Sequence, residues 1–189
     1  MNVSKKILTM TIAGMLSAIG IIIPLFSPFK IILEPASFTL ASHVPIFIAM
    51  FISPAVAIFV AITTSVGFFL AGYPIVIVIR ALTHLIFAVV GAYLLKRNKN
   101  ILLSFKKAIP FVLFISLLHA IAEVIVSTIF YFSGQSGANY VFIVLGLVGA
   151  GTIIHSTVDF VIAAVIWMPL QHVINIPANA RIKIKTARS

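Results

Sequence analysis

Seven ionisable side chains sit inside otherwise apolar sequence, and their spacing is what could do chemistry. Six fall into pairs four residues apart: Arg80 with His84, His119 with Glu123, and His155 with Asp159; His43 stands alone upstream. On a helix that spacing stacks both members of a pair on one face. A cation inside a bilayer costs roughly 2.5–3.5 kcal/mol by insertion scales unless an anion or a water-filled cavity receives it. Arg80 therefore needs a partner, supplied partly by the chain's own acids and partly by a ligand.

Several chemistries fit these residue types. The three stripes can line one polar cavity that binds a small molecule. They can instead form a satisfied structural cluster, with His119 bonded to Glu123, His155 to Asp159, and Arg80 neutralising the surplus. Against that stands the desolvation cost of such a network where apolar packing holds helices together as well. Histidine and carboxylate at this spacing can also ligate zinc. With no cysteine and no third ligand at a tight spacing, no metal site is expected. Histidines titrate near neutral pH and can relay protons, but beyond this group His172 alone continues toward the far end of the last helix. No nucleophile is paired with them, so the chain reads as no enzyme, and no cofactor is expected.

The elements that must position these residues follow from composition. Of 189 residues, 62% are hydrophobic and 8% charged, where a soluble domain is about a quarter charged. Too little polar surface exists for a water-soluble fold, so the lipid bilayer is the solvent. The net charge of +10 is no nucleic-acid signature, because the basic residues flank apolar segments instead of lining one face. Cutting the hydropathy at Pro, Gly and charge clusters leaves six segments: about 7–26, 38–52, 55–71, 74–95, 108–132 and 140–174. The first begins after Lys5 and Lys6, exceeds a usual signal-peptide core and lacks a cleavage site, so it reads as a retained helix. The second is short, and Pro45 is expected to kink it. Residues 27–37 form an extended, proline-flanked connection. The sixth is too long for one straight span, so a break or interfacial piece is expected near Gly146, Gly149 and Gly151.

The predicted fold is an all-α integral membrane protein, a single domain over residues 1–189 with six transmembrane helices in one bundle. Lys5, Lys6, Lys96, Arg97, Lys99, Lys106, Lys107, Arg181, Lys183, Lys185 and Arg188 collect on one side and Lys30 on the other. The positive-inside rule then makes both termini cytoplasmic. With about 1.5 Å rise per residue, Arg80 lies roughly 9 Å below the outer end of its helix, with His84 one turn deeper. His43, His119, Glu123, His155 and Asp159 fall at similar levels, which implies one cavity open to the outside. On the first helix Ala13, Gly14, Ser17 and Ala18 form small-residue ridges that permit close helix–helix approach.

The segment from Ala41 to Ala57, ASHVPIFIAMFISPAVA, resembles the second-helix region of substrate-binding S components of energy-coupling factor (ECF) vitamin transporters. There a His/Pro segment runs into a short Ser-Pro or Gly-Pro turn. Size, six spans and a small-residue first helix are also similar. The resemblance implies a bacterial plasma-membrane subunit that captures a vitamin outside and then docks on a transmembrane coupling protein with two ATPase subunits. The absence of a phosphate-binding Gly-x-x-x-x-Gly-Lys-Ser/Thr loop agrees with that division of labour. The family's first-helix signature is Ala-x-x-x-Ala; here Ala13/Ser17 and Gly14/Ala18 stand nearest to it. By the resemblance, the pocket draws on Phe29–Phe38, Arg80, His84, Glu123, Asn139 and His155. Arg80 above His84 suits a carboxylate, and the histidines and Asn139 suit amide or hydroxyl groups. Among vitamins this favours an acidic one, pantothenate or niacin. A pteridine or flavin would want more stacking aromatics than Trp167 and the four tyrosines supply. An autonomous proton-coupled permease for a small organic anion, using Glu123 and Asp159, is the alternative.

Overall fold

The structure, a computed structural model, describes residues 3–33, 36–134 and 140–183, without the side chains of residues 32, 33, 36, 133 and 134. Long apolar runs must satisfy their own backbone in lipid, and helices do so within one segment. The order is α1 (Val3–Phe26), β1 (Lys30–Leu33), β2 (Ala36–Thr39), α2 (Val44–Ile52), α3 (Pro54–Leu70), α4 (Ile75–Arg97), a 3-10 turn (Ile101–Leu103), α5 (Phe105–Gly134), a π-helical stretch (Val141–Ala150) and α6 (Gly151–Val173). Four helical stretches among the described residues are long and apolar enough to cross a membrane: Val3–Phe26, Ile75–Arg97, Phe105–Phe132 and Val141–Val173. Large apolar side chains such as Ile7, Ile86, Leu113 and Ile154 are exposed along them, as a lipid-facing surface requires.

The second segment differs most from expectation. Its nine helical residues span roughly 14 Å, and every one of them is buried. α2 packs against α1, α3, α4 and α6 and forms the centre of the bundle. The Phe47 ring meets Phe87 and Phe160 at 5.4 and 5.2 Å, and Phe51 meets Phe160 and Trp167 at 5.4 and 6.0 Å. Pro45 lies in the first turn, where a missing N–H goes unnoticed, so it starts the helix and does not kink it. At the other end, the N–H groups of Asn179 and Ala180 both donate to the Phe51 carbonyl at 2.9 Å. Trp167 Nε1 fixes that strap by donating to the Ala180 carbonyl at 3.2 Å. Ser53 then turns the chain into α3, its hydroxyl accepting the Val56 N–H at 3.3 Å.

Two further departures shape the site. The connection after α1 is not merely extended. Lys30–Leu33 pairs antiparallel with Ala36–Thr39, which puts Phe38 on a strand, outside α2. The β-branched Ile31 and Ile32 suit that pairing. The last long segment does not break at its glycines either. It changes winding from π to α at Gly151 and continues to Val173. A Cβ on Gly151 would strike the Phe38 ring, so this glycine admits the hairpin against the helix.

Candidate ligand cavity and histidine cluster

Where the hairpin meets the α3–α4 turn, a cavity of about 300 Å³ opens between α1, α2, α3 and α4. Lys30, Thr64 and Tyr73 stand on its wall with His43, Arg80 and His84. Lys30 is exposed, whereas His43 and Arg80 are buried. The Thr64 hydroxyl has no hydrogen-bond partner among the described residues. Gly20 keeps the space beside it, since a Cβ there would come within 3.0 Å of that oxygen.

Behind Arg80 lies Glu123 of α5. Arg80 Nε donates to Glu123 Oε2 at 2.8 Å, and Nη2 donates to the same oxygen. The Thr152 hydroxyl also reaches Oε2, at 3.5 Å. Oε1 faces two imidazoles instead: His84 Nε2 and His119 Nε2 each lie 3.6 Å away. Arg80 is thus neutralised from behind, and the residue also lines the cavity.

Asp159 of α6 does a different task. Its Oδ1 accepts the Ala41 N–H at 2.8 Å and its Oδ2 accepts the His43 N–H at 2.9 Å. A carboxylate from a distant helix thereby caps the N-terminus of α2, where the helix dipole favours an anion. Ala41 is held at φ +67 in the process, a left-handed conformation that L side chains avoid. His43 Nδ1 and His155 Nε2 flank Oδ2 at 3.2 and 3.4 Å, and His155 also meets the Ser42 hydroxyl at 3.2 Å.

Four imidazoles consequently share one pocket of the bundle. The His43 ring lies 4.7, 4.7 and 4.8 Å from those of His84, His119 and His155, each edge-on. His84 and His119 are 4.8 Å apart. One potential ligand atom from each of His43, His84 and His119 lies within 4.8 Å of the others, and the same holds for His43, His155 and Asp159.

No family model matches the chain, and no solved structure matches it. Among curated proteins it is 40% identical over 162 residues to the niacin transporter NiaX of Lactococcus lactis subsp. cremoris (strain MG1363). The match covers 84% of this chain and 72% of that protein. The chain belongs to the NiaX family. It is a transport protein of the cell membrane with several membrane-embedded helices, and no enzyme. The resemblance to vitamin-transporter S components agrees with this membership.

Within this NiaX-family chain the eight residues read from sequence divide into groups. His43, Arg80 and His84 line the cavity, while His119, Glu123, His155 and Asp159 stand behind it. Asn139 lies outside the described residues. The small-residue ridges of α1 divide too. Ala13 and Ser17 are buried, with the Ser17 hydroxyl donating to the Ala13 carbonyl at 2.9 Å and meeting Thr63. Gly14 and Ala18 face outward, and nothing approaches within 4 Å of a Cβ on Gly14. Lys30 and Ser37, both in the connection singled out by resemblance, line the cavity. Sequence reasoning missed Ser42, Thr64 and Tyr73. Thr63-Thr64 inside an apolar segment is a readable signal for the second; the other two depend on turns whose placement is tertiary.

Proposed function

We propose that this NiaX-family protein is the substrate-capturing subunit of an ATP-driven ECF uptake transporter, and that it binds niacin as its carboxylate. The observation that carries the reading is Arg80, a buried arginine that bonds Glu123 and also lines the cavity. A buried cation on the wall favours a carboxylate ligand by charge. A volume of about 300 Å³ lies at the low end of ligand pockets, in keeping with a small acid such as niacin. The named activity of the Lactococcus relative supports the same choice.

In this reading the chain crosses the membrane six times with both termini in the cytoplasm, following its basic residues. The cavity mouth beside Lys30 then faces outward. Energy comes from a transmembrane coupling protein and two ATPase subunits, with Gly14 and Ala18 on α1 as the docking face. Titration of purified protein with niacin and with pantothenate tests the substrate; binding of neither removes the proposal. Gly14→Leu tests the division of faces, because open space around Gly14 accepts the larger side chain. Niacin binding should persist while uptake by cells expressing the whole complex is lost. Loss of binding as well would show that the two faces are not separate.

A further inference from the structure

Arg80 alone does not balance the acids behind the cavity. Behind the cavity one guanidinium, Arg80, stands against two carboxylates, Glu123 and Asp159, all three buried. With neutral imidazoles the described core is one charge negative, and a carboxylate ligand would add another at low dielectric. Lys30 at the mouth is exposed, so water screens it from the interior. A further buried positive charge would offset this deficit.

We propose that His43, His84 and His119 hold a divalent transition-metal cation of the zinc class, and that this cation supplies the positive charge against which the acidic substrate binds. The substrate half of this inference rests on the vitamin-capturing reading above. Three imidazoles from α2, α4 and α5 meet with ligand atoms inside 4.8 Å, and three protein ligands with one open position is the common arrangement of accessible zinc. His119 adds a second observation. It is 1% exposed, and neither ring nitrogen has a hydrogen-bond partner among the described residues. An imidazole so buried and unpaired is costly unless something accepts or supplies a bond.

The surroundings match what ligating histidines require. Asp159 Oδ2 lies 3.2 Å from His43 Nδ1, the carboxylate–histidine arrangement that orients a ring and leaves Nε2 to ligate. Glu123 Oε1 lies 3.6 Å from Nε2 of both His84 and His119. That is long for a hydrogen bond, so neither nitrogen is committed to the carboxylate, which stands beside the site as a neighbouring anion. The neighbouring group of His43, His155 and Asp159 is less suited, because both Asp159 oxygens already accept backbone N–H groups. The cavity reaches the three-histidine cluster through His43 and His84, so the open position faces the substrate. A divalent cation turns the core from one negative charge to one positive, and a monocarboxylate then brings it to neutral.

The test uses full-length protein purified without a histidine tag, stripped with a chelator and titrated with zinc chloride alone against a chromophoric competitor. A single tightly held zinc per chain is expected, with affinity falling about tenfold or more in His119→Gln. Niacin is then titrated into stripped and zinc-loaded wild-type protein, an arm that stands even if the variant fails to fold. Niacin should bind the loaded form about tenfold or more tightly. No stoichiometric zinc, or unchanged zinc affinity in a folded His119→Gln, overturns the site. Equal niacin affinity with and without zinc overturns the role given to the cation and leaves the niacin reading standing. So does niacin binding by stripped protein that strengthens as pH falls, since protons on the histidines would then supply the charge. Stoichiometric zinc with no niacin binding in either form upholds the coordination and removes the substrate reading.

Discussion

Glu123 on α5 and Asp159 on α6 are both buried, and each follows a histidine by four residues. Asp159 gives its two oxygens to the backbone N–H groups of Ala41 and His43 and so fixes the start of the central helix. Among the described residues no backbone N–H donates to Glu123; it holds Arg80 and faces His84 and His119. One carboxylate builds the fold, and the other sets the charge of the cavity wall. The difference teaches that a shared spacing on two helices fixes which face the acid occupies, while the neighbouring helix decides its work.

Substitutions separate these roles. The largest effect is expected from Asp159→Ala, which strips an anion from two backbone donors and two imidazoles. Removing one partner of a buried ionic network costs about 3–5 kcal/mol, read as lowered stability in detergent unfolding. Asp159→Asn keeps one acceptor oxygen and should lose less, about 1–3 kcal/mol. Equal stability of wild type and Asp159→Ala would erase the contrast between the two acids.

Arg80→Ala comes next, with niacin binding weakened by about 2–5 kcal/mol in calorimetric titration. Stability should fall as well, because buried Glu123 loses its cation. The double variant Arg80→Ala with Glu123→Gln should regain most of that stability and none of the binding. Recovery of both would mean that Arg80 serves only to neutralise Glu123. The smallest effect is expected at Ala41, whose left-handed φ of +67 follows from the bonds to Asp159. Ala41→Gly relieves that conformation and should stabilise the protein by about 0.5–1 kcal/mol. A loss of stability there would mean that the turn is not strained.

The polar stripes were legible because i,i+4 periodicity is a local property: Arg80 with His84 and His119 with Glu123 share faces as their spacing requires. Their partners were not legible. His43 stood alone in sequence, yet its ring lies within 4.8 Å of three other imidazoles, a meeting set by how α2 packs against α4 and α6. A cluster of imidazoles that no sequence spacing offered is assembled in this way by tertiary structure. Hydropathy marked the second segment as apolar but could not separate a lipid-facing span from a nine-residue helix buried on every side. The hairpin was hidden because Ile31 and Ile32 read equally as part of any apolar run. Gly146, Gly149 and Gly151 marked a change in the last segment, but rewinding and breaking leave the same glycine signature.

Niacin and nicotinamide share one ring and differ in the charge of a single substituent, so titrating both into the purified protein tests directly whether a cationic wall selects the ligand. Niacin should bind about tenfold or more tightly, a difference of about 1.4 kcal/mol or above, and Arg80→Ala should shrink that preference. Equal affinities, or a preference for nicotinamide, would contradict the account.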